Sequence, residues 1–537
     1  MAEKKMKKIL QIVDIPGWAI DRLASAIVLH NPQFEWKRIF VHPRDLGRGK
    51  ISLAPIREAI AWADVVDAQY WRCLSQLLEM IPELKEKKIV LTHHNEENLL
   101  SYDWKDVDMH IAKTRYSEGK LREAGYRNVV YIPNSFNPDF FKWNAEYPPA
   151  EKSIGYVGRI VDWKGLKEIA RAAYELGVPL RAMGKGNDQG YYDSIPEEHR
   201  ENIDWSFFEY PDDRINEFYQ NVSVYVCNSS PHREVGPLPL IEAMASGVPV
   251  ITTPCGLARD IAKDRDNMMV VPFGEYEALK DAIQEVLENP GLANDLRQSA
   301  FKTIRNYSDG RMALDYARVF YGLMKQDGRP WVSVIIPATL DRLEQVEKIL
   351  ESLAVQEYPN LEVVVVWDEL QAGKRFFNKW PFLLRELETG REGYNLAMAR
   401  NLGVIEAGGE LLLFCDSRML PEPGSLAVFV EKIGGYRPED KVWIFGDKGP
   451  HKTVFVENWS IVRRQQLIDA GMFNERVNEY GGMSQELRSR FIAQGFELIY
   501  EPKALCREMI KSSSRGRDRK AQSVRMKILM RKLNFEK

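Results

Sequence analysis

Short apolar runs alternate with stretches of helical periodicity along the whole chain. "KKILQIVDI" (Lys7–Ile15) is the first run, and "AIDRLASAIVLHN" follows with apolar positions at three- and four-residue spacing. "KIVLTHHN", "VVYIPNS", "SIGYVGRI", "VSVYVCNSS" and "VPVITTP" are further runs, each ending in polar or Gly/Pro punctuation. Runs this short, separated by helical patterns, predict buried strands of mainly parallel sheets, an α/β architecture. Ligands of such sheets lie at the carboxyl ends of strands. Those ends carry His93 and His94, Asn134, Gly158 and Arg159, and Glu234.

The alternation pauses once. A helical stretch, "SDGRMALDYARVFYGLMKQ" (Ser308–Gln326), leads into "DGRP", and a new series then starts with "WVSVIIP", "LEVVVVWDE" and "ELLLFCDS". This predicts a first module over 1–326 and a second over 327–537. A break near Tyr147–Lys152 divides the first into lobes at 1–150 and 151–305, with 306–326 as a closing helix. A chain of 537 residues is too long for one core, which agrees with several units.

Composition narrows the function. A formal net charge of -3 argues against nucleic-acid binding through bulk charge. The five cysteines are well separated and none has metal-ligand spacing, so the chain reads as reduced and cytoplasmic. The start, "MAEKKMKKILQIVDIPGW", lacks the long apolar region of a signal peptide, and no window approaches the ~20 apolar residues of a membrane span.

The stretch "REVGPLPLIEAMASGVPVITT" (Arg233–Thr253) holds the most specific chemistry. Glu234 precedes a Gly-Pro turn, and Glu242 follows in an otherwise apolar helix. A helix N-terminus offers unpaired N–H groups to a phosphate. Two carboxylates near the same end suit sugar or ribose hydroxyls. Gly236, flanked by Pro237 and Pro239, lets the backbone approach a ligand closely. "GYVGRIVDWKG" adds Arg159 and Lys164, with Gly158 and Gly165 as pivots: two cations able to hold a leaving diphosphate. Each residue alone also has a structural reading as a surface charge or a packing position.

With these motifs in place, the first ~325 residues resemble the retaining GT-B glycosyltransferases. The resemblance rests on Glu234-x7-Glu242, on the Arg159/Lys164 loop and on "VVYIPNSFNPDFF". It implies two Rossmann-like lobes, a helix that crosses back to the first lobe, retention of anomeric configuration and no metal. It implies that Glu242 binds the donor ribose, Glu234 the donor sugar, and Arg159 and Lys164 the diphosphate. The backbone at Gly158, Gly236, Pro237 and Leu238 would lie against the donor. His94 would be the cleft histidine, with His93 as the fallback, and Gly17 the glycine loop of the acceptor lobe. Trp18, Tyr70, Trp71, Tyr102 and Trp104 could form an acceptor platform, with core packing the better reading for most of them.

The second half resembles the mostly inverting GT-A family. "VSVIIPATLDR", the strand ending at Asp368, "GYNLAMARNLGVIEAGGELLLFCDS" with Arg400, and "ENWSIVRRQQLIDAGMFNERV" carry the likeness. The catalytic positions depart from it. Asp416-Ser417-Arg418 stands where the family has its metal-binding Asp-x-Asp, so Mg²⁺ or Mn²⁺ at Asp416 is in question. Met483-Ser484 stands where the family has the Glu-Asp that supplies a base, and no His follows His451. Two readings stay open: a degenerate domain kept for binding or assembly, which is favoured, or a metal-free site in which Arg418 neutralises charge and Glu486 or another carboxylate serves as base.

From Arg507 onward many Lys and Arg oppose only Glu508, Asp518 and Glu536, and "SVRMKILMRKLNF" has helical amphipathicity. Such a segment suits a membrane surface or a polyanion, or else a docked terminal helix. The whole chain is therefore expected to move sugar from a UDP- or GDP-sugar to a glycan or lipid-linked acceptor, at the inner membrane face. Transfer to a modified base in DNA, and a non-catalytic nucleotide-sugar-binding scaffold, are the alternatives.

Overall fold

The computed structural model describes residues 6–184, 188–205, 214–231, 233–304, 307–324, 329–356, 358–368, 380, 382–390, 395–449, 454–477 and 483–510. The basic segment beyond Ile510 lies outside the described residues. The chain divides into two compact units, residues 1–324 and 325–537.

Unit one contains two parallel sheets. The first holds β1 (Lys7–Val13), β2 (Phe34–Phe40), β3 (Val65–Ala68), β4 (Lys88–His93), β5 (Met109–Ala112) and β6 (Val129–Tyr131), in the order β2-β1-β3-β4-β5-β6. The second holds β7 (Ile154–Val157), β8 (Leu180–Met183), β9 (Ile203–Asp204), β10 (Val224–Cys227), β11 (Val250–Thr252) and β12 (Met269–Val270), in the order β12-β11-β10-β7-β8-β9. Central strands such as β7 and β10 are buried on both faces, which explains their apolar runs.

The strand order reverses beside β1 and beside β7. A crevice opens at such a switch point because successive connections leave to opposite sides of the sheet. Gly17 follows β1. Gly158, Arg159 and Lys164 follow β7, and Glu234 follows its neighbour β10. The helix Asp309–Leu323 packs back on the first lobe: the Asn31 amide donates to the Ala313 carbonyl at 2.8 Å, and the Thr92 and Tyr316 hydroxyls meet at 2.8 Å.

Unit two is a mixed sheet. It comprises β13 (Val332–Ala338), β14 (Leu361–Trp367), β15 (Leu383–Glu388), β16 (Leu411–Cys415), β17 (Met419–Pro421), β18 (Val442–Asp447), β19 (Trp459–Arg463) and β20 (Glu497–Glu508), ordered β15-β14-β13-β16-β19-β18-β20-β17. Strands β13 to β16 pair in parallel, whereas β19 runs antiparallel to both β16 and β18. Its switch point lies between β13 and β16, where Asp416 leaves the sheet.

Candidate functional site

The crevice of unit one is built by close backbone approach. After β7 the Gly158 N–H donates to the Met183 carbonyl at 3.0 Å, and the Tyr156 hydroxyl donates to the Arg159 carbonyl at 2.6 Å. One 3₁₀ turn, Asp162–Lys164, ends at Gly165 in the left-handed region, φ +65°. A Cβ at Gly165 would meet the Asn228 carbonyl oxygen at 2.5 Å, so only glycine brings this loop against β10.

That approach brings Lys164 to Glu234. The two side chains form an ion pair, 14% and 11% exposed. Burial works against the Lys164 charge, but the adjacent Glu234 carboxylate outweighs it and raises the ammonium above its usual range. Arg159 is exposed at the rim of the same loop. Next comes the helix Leu238–Ala245, with Pro237 at its N-cap and Pro239 in the first turn, where a missing N–H costs no hydrogen bond. Leu238 is buried. Gly236 lies under Asn134 of the first lobe, whose amide donates to its carbonyl at 2.9 Å.

Glu242 is fully buried in this apolar helix, so its charge needs partners. The Tyr219 hydroxyl donates to it at 3.1 Å, and Arg22 of the first lobe ion-pairs with it at 2.6 Å. Arg22 was not singled out from sequence. It lies one turn into the helix Ala19–Leu29, after Gly17, whose N–H donates to Asp21 at 2.7 Å.

His94 is half-buried, its Nε2 3.4 Å from the Gln69 Oε1. Burial first, then Lys113 and His93, push its pKa well below the usual range, so it is neutral at pH 7. The fallback, His93, does not reach the cleft. It is 2% exposed, bonds His110 at 3.0 Å and stacks on that ring, which makes it a core residue. Of the aromatic platform, Trp104 is buried in the core and Trp18 is exposed.

Behind His94 lies a buried polar group that the sequence did not reveal. Asp67 accepts from the Gln11 amide at 3.0 Å and from Gln69 at 2.8 Å. Lys113, fully buried, reaches the Met312 sulfur at 3.7 Å and stands 5.1 Å from the Tyr316 ring centre.

In unit two, the Asp368 carboxylate follows β14 and accepts from the Asn395 N–H at 2.9 Å. Asp416 follows β16 and is held from two residues away by Arg418: Nη2 to Oδ2 at 2.9 Å, Nε to Oδ1 at 3.3 Å and the backbone N–H to Oδ1 at 3.2 Å. Burial opposes the Asp416 charge, but these bonds prevail and hold its carboxyl below the usual carboxylate range. Arg400 is buried against Glu457 and the Met483 sulfur, and Glu457 is a member of this cluster that sequence reasoning missed.

Glu486 requires correction. It is fully buried and paired with Arg490 at 2.8 Å, and Arg490 bonds the Ala470 and Met472 carbonyls. It anchors a helix to a turn and presents no face to an acceptor hydroxyl, so it does not fit a general base.

The divalent cation implied at Asp416 does not fit either. Both Asp416 oxygens are engaged by Arg418, and no three His, Cys, Asp or Glu side chains converge among the described residues. A cavity of about 650 Å³ opens at the opposite end of β16, beside Glu410 and Arg464. Arg464 is spent there on the Val404 and Ile405 carbonyls.

Comparison with known proteins agrees with this division. Residues 139–303 match the family "Glycosyl transferases group 1", and residues 333–440 match "Glycosyl transferase family 2". The first match takes in Arg159, Lys164, Glu234 and Glu242; the second takes in Asp368, Arg400, Asp416 and Arg418. The capsular polysaccharide biosynthesis glycosyltransferase CapM of Staphylococcus aureus is 29% identical over 162 residues, which is 28% of this chain and 41% of CapM. The lipopolysaccharide core biosynthesis glycosyltransferase LpsE of Rhizobium meliloti (strain 1021) is 22% identical over 211 residues, 38% of this chain and 61% of LpsE. The chain thus spans less than two thirds of either relative. The sucrose-phosphate synthase structure from Thermosynechococcus elongatus shares the fold with a TM-score of 0.50 at 17% identity, covering 59% of this chain and 99% of that one. The chain therefore carries a region similar to the group 1 glycosyl transferases followed by a region similar to glycosyl transferase family 2.

Proposed function

We propose that residues 1–324 transfer a sugar from a UDP- or GDP-sugar to a glycan or lipid-linked acceptor of surface-polysaccharide assembly, with retention and without a metal. The observation that carries this reading is the Lys164–Glu234 pair at the switch point of the second sheet, one helical entry away from Glu242. Lys164 keeps its proton and, with Arg159, faces the leaving diphosphate. The Leu238 N–H at the N-terminus of the helix adds one donor to the same oxygens, since Pro237 and Pro239 carry none. Glu234 accepts from the donor sugar and Glu242 from the ribose, where Arg22 now sits. Neutral His94 offers a hydrogen bond to the sugar without adding charge.

The names of CapM and LpsE support a surface-glycan acceptor. Among the described residues no helix is long and apolar enough to cross a membrane. In this reading a lipid-linked acceptor is met at the inner face of the membrane, and the Lys- and Arg-rich sequence beyond Arg507 supports that contact.

The test is donor hydrolysis and transfer by the whole chain across UDP-, GDP- and ADP-sugars, with Mn²⁺ or EDTA, in wild type, Glu234→Gln and Asp416→Ala. Turnover is expected to survive EDTA and Asp416→Ala and to fall by about 10²-fold or more in Glu234→Gln. Turnover that requires metal or Asp416 overturns the reading, and NMR of the product anomer decides retention.

A further inference from the structure

The second module departs from its family where a divalent cation would sit, and the structure gives that departure a chemical form. We propose that the module binds a nucleoside diphosphate without a metal, with the Arg418 guanidinium as its resident cation.

Three observations support this. First, the pair stands where a ligand belongs. Asp416 and Arg418 leave β16 at the reversal of strand order beside β13, and Asp368 ends the parallel neighbour β14. Ligands of open α/β sheets occupy that crevice. Second, Asp416 is already engaged by a cation and keeps only one lone pair, on Oδ2. Its two oxygens accept three bonds from Arg418, a tether two residues long, so an incoming Mn²⁺ would have to compete with a cation that never diffuses away. Glu508 lies 4.0 Å from Arg418 Nη1 and holds the guanidinium from the other side.

Third, the pair is not sealed in the core. Arg418 is 21% and Asp416 16% exposed, whereas the neighbouring Arg400–Glu457 pair is 2% and 4% exposed. That inner pair is incompletely satisfied: Arg400 Nε and Glu457 Oε2 are buried with no hydrogen-bond partner among the described residues. A polar ligand or water entering from the Asp416 side would complete them, since unmet buried polar groups are costly. The Arg400 charge also helps keep Asp416 ionised. Planar guanidinium forks match phosphate oxygens and need no coordination geometry.

The inference does not depend on the first module's activity, and the experiment separates the two. Hydrogen–deuterium exchange of the whole chain with UDP, GDP, ADP or CDP in EDTA reads peptides over 411–421 for this site and over 158–165 for the first module. Manganese EPR on parallel samples with added Mn²⁺ and neither EDTA nor nucleotide reads bound Mn²⁺. Wild type is expected to gain protection over 411–421 with at least one nucleotide in EDTA and to bind no Mn²⁺. Arg418→Gln, which keeps donors but loses charge, should need roughly tenfold more nucleotide for the same protection. Arg418→Asp, which restores the acid-x-acid spacing, should lose EDTA-resistant protection and take up Mn²⁺. Protection over 411–421 that appears only with Mn²⁺, Mn²⁺ bound by wild type, or no protection there with any of the four nucleotides overturns the proposal. Protection over 158–165 bears only on the first module.

Discussion

Lys113 shows how much one buried charge can govern. Its ammonium faces Asp67 from β3, His94 beyond β4, and Met312 and Tyr316 from the closing helix. Burial lowers its pKa to about 7, partly offset by Asp67. Between pH 7 and the ordinary lysine range near ~10.4, the unfolded chain binds the extra proton, so stability rises with pH by up to about 1.4 kcal/mol per unit. Burial raises Asp67 to about 6, opposed by its amide partners. From its ordinary value near ~3.9 up to pH 6, the folded state holds the extra proton, so stability falls as pH rises. Below about pH 6, His93, His94 and His110 oppose that fall, because burial lowers their pKa values and the unfolded chain takes up their protons first, so the Lys113 limb above pH 7 is the one to read. Urea unfolding across pH 5–9 should show that Lys113→Met removes the rise above pH 7; an unchanged upper limb would refute it. None of this was legible in "HIAKTRYSEG", where Lys113 looks like any strand-end lysine. It is buried because Met312, 199 residues further along the chain, covers it. Lys164 and Glu234 were legible because their loops carry glycine and proline signals of their own, whereas Arg22 has only an ordinary helix around it.

At the scale of elements, one glycine joins two lobes. A Cβ at Gly236 would come within 2.2 Å of the Asn134 amide nitrogen, which now bonds its carbonyl. Gly236→Ala must push the Asn134 side chain aside and break that bond. Asn134→Ala removes both the obstacle and the bond. The two changes therefore should not add. We expect Gly236→Ala to cost about 1–2 kcal/mol in wild type and under about 0.5 kcal/mol in the Asn134→Ala background, measured by urea unfolding. Equal costs would mean that the contact does not hold the lobes. The strands themselves were readable where they are fully buried, as in β7, β13, β14 and β16. Strand β2 was missed: it is a sheet edge whose positions past Phe34 are all partly or wholly exposed, so "FEWKRIF" lacks an apolar run. The short edge strands β9 and β12, two residues each, offer too few positions for any period to show. The antiparallel β16–β19 pairing joins strands with two others between them in the chain, which alternation alone does not specify.

At the scale of the first unit, the cleft is closed by polar seams rather than by apolar packing alone. Arg259 of the second lobe forks onto Glu96 of the first at 2.6 and 2.7 Å, Asp260 accepts from the Arg115 N–H at 2.9 Å, and Arg233 meets Glu97 at 3.1 Å. These bonds are unequal. Arg233 and Glu97 are each 49% exposed, so water screens them and their loss should cost little. Glu96 is 3% exposed, and without Arg259 its carboxylate would keep only the Thr114 hydroxyl at 2.6 Å and the Ser117 hydroxyl at 3.4 Å. Arg259→Ala therefore shifts the first unit towards an open cleft, which solvates Glu96. The donor must then supply the closing free energy that Arg259 had contributed, and its apparent affinity falls by the fraction of closed molecules lost. Donor KM should rise about tenfold, corresponding to about 1.4 kcal/mol, with kcat changed less than about threefold, because the closed state once formed is the same. Glu97→Gln should leave both constants within about twofold. Steady-state donor kinetics of the two variants make the comparison. A matched fall in kcat for Arg259→Ala would mean that the residue acts on the reacting groups themselves. An equal effect of Glu97→Gln would mean that net charge along the seam, not the buried fork at Glu96, keeps the lobes together.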